Sequence, residues 1–224
     1  MKSIILVAIA AIFFTACGQK AFVSIVEDEN GENVINTNGE RVLSEGYDKV
    51  FLYNDDYVKI MEDRKFGIVN YNGKMMIEPV YDDISPLYNG YATITSDKKV
   101  GLVNENMKLI LEPSYDTIKI EDGHFIVRNE GKYYCMNKNL KIISSSYDKI
   151  YYYVDGVARV EIDKKLGFID ESCKELTAIQ YDYASDFING YAKVKLGDKF
   201  TFLDKKMNQI TEAQFKNANY FEGK

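Results

Sequence analysis

A repeat of about 34 residues runs through almost the whole chain, and it constrains the fold more than any other feature. Tyr-Asp pairs recur with spacings of 34, 34, 32 and 34 residues, and Phe215-Lys216 is a degenerate sixth copy; the pairs begin at Tyr47, Tyr81, Tyr115, Tyr147 and Tyr181. An apolar residue followed by Asn or Asp recurs in step with them, ending at Asn36, Asn70, Asn104, Asn137, Asp170 and Asp204. A glycine marker closes most copies. Cutting after it gives six units, 22–56, 57–90, 91–123, 124–156, 157–190 and 191–224.

Each unit has the sequence pattern of short strands joined by turns. In the third unit, the runs from Tyr91 to Ile94 and from Val100 to Asn104 contain β-branched and aromatic residues and are separated by a polar turn, and Leu109 to Leu111 follows. Pro79 and Pro113 stand at matching places, and we expect them just past the third strand of their units. No apolar period of 3.6 residues persists. The sequence therefore predicts an all-β fold of six tandem antiparallel β-hairpin repeats of about 34 residues.

These markers resemble the WG-repeat family. The closest match runs from Lys65 to Lys74 with Ile77 to Ile84, and Asn89-Gly90-Tyr91-Ala92 matches the trailing segment of the family unit. The resemblance covers about residues 22 to 224. The family's Trp-Gly pair becomes Phe66-Gly67 here, and the chain has no Trp. The resemblance implies a β-repeat domain in which large apolar residues keep the packing role of the tryptophan.

The units are too small to bury an apolar face alone, so neighbours must stack. Six units fit the number of blades in a propeller, although 34 residues is short for a blade of about 40–45. We expect an open curved array or a propeller-like assembly, and favour the open array.

The N-terminus carries the pattern of an export signal. Met1-Lys2-Ser3 is a short positive start, and the apolar run from Ile4 to Phe14 is too short to span a bilayer as a helix. Phe14-Thr15-Ala16-Cys17 resembles the lipobox of bacterial lipoproteins, with Phe14 in place of the preferred aliphatic residue. We expect a signal peptide over 1–16, lipidation at Cys17, a tether over 17–21 and the repeat domain over 22–224. An ordinary cleaved signal with a coincidental Cys is the alternative.

The recurring residues are predicted to build the scaffold, since functional sites are singular features. A position that recurs in every sequence unit is called a column here. The Tyr-Asp and Asn/Asp columns are expected to stabilise turns and to make packing contacts. His124 is the single histidine and is expected to be a packing or surface residue rather than a general base. Cys135 is predicted to be a small buried residue, and a disulfide with Cys173 is possible but not indicated. The sequence predicts no catalytic, cofactor or metal site.

Tyrosine is the most suggestive residue type, with 18 copies. Tyr151, Tyr152 and Tyr153 cannot all face one way on a strand, so at least one should point away from the core. They are the candidate partner contacts, because amphipathic aromatics on a rigid surface favour proteins and sugars. Packing alone is the competing interpretation.

The net charge of −6, with no basic cluster, argues against a nucleic-acid partner. We expect a non-enzymatic lipoprotein of the cell envelope, in the outer membrane if the cell is Gram-negative, whose repeats bind envelope proteins or glycans. The alternatives are a hydrolase of envelope polymers that uses a carboxylate pair, marked by a raised carboxyl pKa, and a structural spacer.

Overall fold

The computed structural model describes residues 13–16 and 19–221, with side chains from Phe22 onward. In these residues every regular element is a β-strand, and none is a helix that could cross a membrane. The all-β prediction is thus confirmed. The twenty strands form six antiparallel sheets in series. They fall into two compact units, divided between Ser114 and Tyr115.

Three sheets make up the first unit, and neighbouring strands within each are consecutive in the chain. Sheet 1 contains β1 (Phe13–Ala16), β2 (Gln19–Asp28) and β3 (Gly31–Asn36). Sheet 2 contains β4 (Lys49–Leu52), β5 (Tyr57–Glu62), β6 (Lys65–Asn70) and β7 (Met75–Tyr81). Sheet 3 contains β8 (Asp83–Ile84), β9 (Tyr91–Ser96), β10 (Lys99–Asn104) and β11 (Leu109–Tyr115).

The second unit also has three sheets of the same kind. Sheet 4 contains β12 (Thr117–Ile120), β13 (His124–Asn129) and β14 (Lys132–Asn137). Sheet 5 contains β15 (Lys149–Ile150), β16 (Val157–Ile162) and β17 (Lys165–Asp170). Sheet 6 contains β18 (Tyr183–Ala184), β19 (Tyr191–Leu196) and β20 (Lys199–Asp204).

The sheets are out of phase with the sequence units. Sheet 2 begins just after Tyr47-Asp48 and ends at Tyr81, so a sheet extends from one Tyr-Asp pair to the next. The glycine marker lies inside the sheet, in the turn between its first and second strands. Gly90, for example, separates β8 from β9. Each of the first five sequence units therefore supplies the first strand of the following sheet.

The Tyr-Asp pairs hold each sheet together, as the sequence predicts. The Tyr147 backbone exchanges two hydrogen bonds with Tyr133, of 2.8 and 2.9 Å, and its ring is fully buried. Asp148 accepts a 2.7 Å hydrogen bond from the backbone N–H of Asp163 and pairs with Lys132. The same contacts recur around Asp82 and Asp182. The carboxylate thus fixes the hairpin turn between the second and third strands of its sheet.

The Asn/Asp column fixes a second turn in each of the six sequence units. The Oδ1 atom of Asn137 accepts 3.0 Å hydrogen bonds from the backbone N–H groups of Asn139 and Lys141. The corresponding side chain makes the same pair of bonds in the other five units. A short polar side chain that bonds its own backbone stabilises the turn without a partner elsewhere.

A β-bulge brings Gly67, of the Phe66-Gly67 pair, and Pro79 together. Gly67 lies between Phe66, which pairs with Tyr81, and Ile68, which pairs with Ile77. Three residues of β7 therefore face one residue of β6, and Pro79 is among them. Pro79 and Pro113 lie within β7 and β11, so the prediction that they stand just past the third strand is wrong. A bulge accepts proline because its backbone N–H is not needed in the ladder.

The hydrophobic cores lie between consecutive sheets of the same unit, in layers called seams here. The seam of sheets 1 and 2 buries Val34, Leu43 and Val58, and that of sheets 2 and 3 buries Ile68, Ile94 and Met107. Sheets 4 and 5 bury Cys135, Tyr147 and Val160, and sheets 5 and 6 bury Phe168, Phe187 and Leu203. A sheet cannot bury its apolar face alone, so the seams provide the stability of each unit.

Candidate functional site

The three consecutive tyrosines before β16 have three different environments. Tyr152 is 78% exposed, the most exposed large hydrophobic residue of the described chain, while Tyr151 and Tyr153 are half-buried. The expectation that at least one of them faces away from the core is thus correct. Tyr151 and Tyr152 are described together below as the tyrosine patch. Tyr153 turns toward the seam of sheets 4 and 5.

Tyr151 is held between two cations. Lys149 Nζ lies 4.1 Å from the ring centroid, and the Arg159 guanidinium carbon lies 4.4 Å from it. The Tyr151 hydroxyl donates a 2.9 Å hydrogen bond to Glu161. Arg159 is itself fixed by Asp186 at 2.9 Å. Cation–π contacts and charged hydrogen bonds on both sides make this part of the patch rigid.

Tyr152 presents its ring beside Lys119, whose Nζ lies 4.7 Å from the ring centroid. Lys119 also pairs with Glu121 at 2.5 Å. The patch therefore combines an exposed aromatic face with a nearby ammonium group. Such a surface suits a partner that offers both an apolar face and hydrogen-bond acceptors.

The first compact unit has a groove at the position that corresponds to the tyrosine patch. Its volume is about 310 Å³, and its wall includes Phe51, Leu52, Lys59 and Phe66. Lys59 Nζ lies 4.1 Å from the Phe66 ring centroid and donates to Asp83 and to the Ile84 carbonyl. Lys59 in the first compact unit and Arg159 in the second occupy corresponding positions. Phe51 and Leu52 of the groove correspond to Tyr151 and Tyr152 of the tyrosine patch.

A second cluster lies buried in the seam of sheets 4 and 5. His124 at the start of β13, Cys135 in β14 and Cys173 in the turn after β17 bring a ring nitrogen and two sulfurs within 4.8 Å of one another. Cys135 and Cys173 form a disulfide, with Cα atoms 6.3 Å apart. All three residues are more than nine-tenths buried. The burial of Cys135 confirms its predicted place, and of the two alternatives for His124, packing and surface, the structure has the packing one. No sequence pattern predicts that the three residues meet.

Hydrogen bonds hold this cluster in place. The Tyr153 hydroxyl lies 3.4 Å from His124 Nε2 and 3.7 Å from Cys173 Sγ, and donates a 3.2 Å bond to the Asp170 carbonyl. Within the described chain, His124 Nδ1 is buried without a hydrogen-bond partner. Desolvation lowers the pKa of His124, and it raises the pKa of Tyr153. Both effects favour the uncharged side chains in the seam.

The carboxylates do not show the electrostatics of an acid–base pair. Every carboxyl pKa that is shifted among the described residues is lowered, as at Asp82, Asp148 and Asp182. A hydrogen bond from a lysine is the largest cause at each of these three. These acids recur as turn supports. A general acid needs the opposite shift.

The lipidation residue predicted from sequence, Cys17, lies outside the described residues. The end of the expected signal peptide, Phe13–Ala16, is strand β1, which pairs with β2. The tyrosine patch could be identified from the triple tyrosine alone. The buried cluster had a signal too, because His124, Cys135 and Cys173 all replace apolar or glycine residues of their columns.

Comparisons with solved structures give only distant likenesses. A Kluyveromyces lactis Hsv2 with loop 6CD replaced by a Gly-Ser linker is 9% identical, with a TM-score of 0.36, over 72% of this chain and 63% of that chain. The chain thus spans less than two thirds of that protein. A eukaryotic initiation factor is 11% identical over 94% and 77% of the two chains, with a TM-score of 0.42. Apo AztD from Citrobacter koseri is 12% identical over 90% and 70%, with a TM-score of 0.38. Likenesses of this size carry no argument about function.

The comparison with curated proteins found no match. The sequence profile of the WG containing repeat, in contrast, matches four consecutive segments: residues 66–99, 101–133, 135–165 and 167–200. Together they cover more than half of the chain, and they include the glycine and bulge positions described above. The chain belongs to the family of proteins with the WG containing repeat.

Proposed function

We propose that the protein is a non-enzymatic lipoprotein of the cell envelope, anchored through lipid at Cys17, whose β-repeat domain binds a protein or a glycan. The anchor is supported by the sequence from Met1 to Cys17. Lipid chains would hold the domain at a membrane surface without a spanning helix. Cleavage before Cys17 would remove β1 and leave β2 and β3 in sheet 1.

The exposure of Tyr152 carries the binding proposal. Tyr152 is 78% exposed, so most of its surface is in contact with water rather than with neighbouring side chains. It lies beside Tyr151, which two cations hold in place. A rigid aromatic contact residue costs little conformational entropy when a partner covers it. Stacking on a sugar ring and packing against a protein both use this kind of surface.

The absence of catalysis is proposed on two grounds. The acids that recur along the chain support turns, and their shifted pKa values lie on the low side. A hydrolase with two carboxylates needs one carboxyl group that stays protonated near neutral pH. The tyrosine patch, in contrast, is suited to binding because it presents area and charge rather than a reactive group.

The binding proposal is tested with the purified protein immobilised through a C-terminal tag. The probes are an array of envelope oligosaccharides and a detergent-solubilised envelope protein fraction, with retained proteins identified by mass spectrometry. We expect one glycan class or one protein to be retained, and Tyr152→Ala to reduce its retention at least tenfold, the loss typical of a central contact residue. Tyr88→Ala removes a tyrosine that is 57% exposed elsewhere and should leave retention unchanged.

Retention that survives Tyr152→Ala would show that the patch is not the binding surface. If neither probe is retained by the wild-type protein, the structural spacer becomes the better interpretation.

The anchor is tested separately by the intact mass of the membrane-extracted protein. We expect a chain that begins at lipidated Cys17, and Cys17→Ser should leave the uncleaved chain without the lipid mass. An unmodified Cys17 in the wild-type protein contradicts the anchor.

A further inference from the structure

Three structural positions recur in the seam between each pair of consecutive sheets within a unit. The first starts the second strand of a sheet and pairs with the Asn/Asp column, as His124 does with Asn137. The second lies two residues before that column, where Cys135 stands. The third lies three residues after the column in the following sheet, at a positive φ of 63° for Cys173.

Among the described seams, one has histidine and cysteine at these positions. The other three seams have Val23, Val34 and Gly73; Tyr57, Ile68 and Met107; and Val157, Phe168 and Met207. The corresponding set in the seam of sheets 4 and 5 is His124, Cys135 and Cys173. The scaffold needs only apolar or small residues here, so the three replacements are a singular feature of the kind that marks a site.

The ligand atoms are close enough for one metal ion. Zinc bonds of about 2.3 Å to sulfur and about 2.0–2.1 Å to nitrogen place tetrahedral ligand atoms about 3.4–3.8 Å apart. One His124 nitrogen and the two sulfurs already lie within 4.8 Å of one another. His124 Nδ1 is buried without a hydrogen-bond partner in the described chain, so this histidine has a ring nitrogen whose lone pair or proton is unused.

The backbone positions of both cysteines are fixed by hydrogen bonds. The Cys135 N–H donates a 2.9 Å bond to Ser144 Oγ, and the Cys173 N–H donates a 2.8 Å bond to the Asp170 carbonyl. The Tyr153 hydroxyl lies 3.7 Å from Cys173 Sγ and supplies an outer hydrogen-bonding group. Hydrogen bonds to the residues that would bind a metal ion orient their ligand atoms.

We propose that His124, Cys135 and Cys173 form a redox-gated binding site for a divalent thiophilic ion such as Zn²⁺. In the disulfide form the two sulfurs are bonded to each other and the site is closed. A dithiol reductant opens it by thiol–disulfide exchange. Two electrons and two protons pass to the cysteines, and the reductant leaves as its own disulfide. Binding of the ion then forms two S–metal bonds and one N–metal bond and releases the two thiol protons.

The charge of the site selects a divalent ion. Two thiolates and a neutral imidazole balance a charge of +2, whereas a monovalent ion would leave a net charge of −1 in a buried seam. Reductant reaches the sulfurs by local opening of the turn from Asp170 to Lys174, in which Glu171 and Ser172 are exposed and Cys173 is 4% exposed.

The test uses the full chain carrying Cys17→Ser, so that Cys135 and Cys173 are its only cysteines. The protein is compared in the oxidised form and after anaerobic reduction with dithiothreitol and removal of the reductant. Bound zinc is measured by elemental analysis, and Co²⁺ serves as the spectroscopic probe. We expect about one Zn²⁺ per reduced chain and none in the oxidised chain. Co²⁺ should show thiolate charge-transfer bands that Zn²⁺ abolishes.

Two variants supply residues found in the other seams, and so keep the fold. Cys135→Ile with Cys173→Met should abolish the Co²⁺ bands. His124→Val keeps both sulfurs and should weaken Zn²⁺ binding at least tenfold while the oxidised protein retains its disulfide. Failure of the reduced wild-type chain to bind zinc would overturn the proposal. Equal zinc affinities of wild type and His124→Val would also overturn it, because two thiols alone would then explain the binding.

Discussion

Replacing Gly67 by alanine tests the account of the β-bulge, because the geometry gives the size of the effect. A Cβ atom at Gly67 would lie 2.6 Å from the Ile77 carbonyl oxygen and 2.8 Å from the Pro79 nitrogen. Ordinary contacts begin at 3.4 Å, so the Ile77 carbonyl must retreat by about 0.8 Å, the difference between the two distances. No left-handed φ is involved at this position, so the cost comes from the contact alone.

Both crowded atoms belong to the backbone of β7, which is paired with β6, so the shift displaces the strand rather than a flexible side chain. Overpacking of this kind costs about 1–3 kcal/mol, and a weakened ladder hydrogen bond adds about 1 kcal/mol. We therefore expect Gly67→Ala to lower the free energy of unfolding by about 2–4 kcal/mol. For a chain of this size, that is a fall in Tm on the order of 5–15 °C.

Gly39→Ala is the matched control in the same compact unit. Gly39 has a φ of +79°, and a Cβ atom there would meet nothing within 4 Å. The control therefore measures left-handed strain without crowding, at about 1–2 kcal/mol. Urea unfolding followed by circular dichroism gives both values. A cost for Gly67→Ala no larger than that of Gly39→Ala would refute the close-contact explanation of Gly67.

Three further outcomes follow from the contacts described. Asn137→Ala removes two turn hydrogen bonds and should lower the free energy of unfolding by about 1–2 kcal/mol in urea, while Asn139→Ala on the exposed side of the turn should change it by less than about 0.5 kcal/mol. The disulfide closes 38 residues, so reducing it should lower the free energy of unfolding by up to about 4 kcal/mol by chain entropy; a calorimetric Tm unchanged by reduction contradicts this. Desolvation raises the pKa of Tyr47 from 10.0 to about 12, so the stability from its buried neutral form is intact below pH 10 and declines toward pH 12, by at most about 1.4 kcal/mol per pH unit; urea midpoints that stay constant from pH 9 to 11 exclude it.

The sequence predicts the repeated part of this fold well, because each repeated residue acts on its own neighbourhood. Asn137 bonds the two backbone groups that follow it, and Asp148 supports a turn 15 residues away in the same sheet. Because such local contacts recur across the sequence units, the residues that make them form a pattern that can be recognised in the sequence. The place of Pro79 was mispredicted, since a bulge depends on how two strands align and not on the residue alone.

The buried cluster could not be predicted from the columns, because a seam joins different columns of consecutive units. Cys135 and Cys173 stand in different columns, and their contact depends on how sheet 5 stacks on sheet 4. The columns alone therefore do not indicate the disulfide. Three departures from the column pattern within 50 residues were the available signal. Reading them requires knowing which positions face one another across a seam.

The offset between sequence units and sheets determines where the chain tolerates a nick. A cut between Asn89 and Gly90 would place β8 and β9 on different fragments, yet Asp83 and Ile84 would still pair with Thr95 and Ile94. Backbone hydrogen bonds would keep those fragments associated. A cut between Tyr81 and Asp82 falls between two sheets and leaves chiefly side-chain packing to hold the fragments together. For grafting or deletion, the exchangeable module of this domain is therefore the interval from one Tyr-Asp pair to the next.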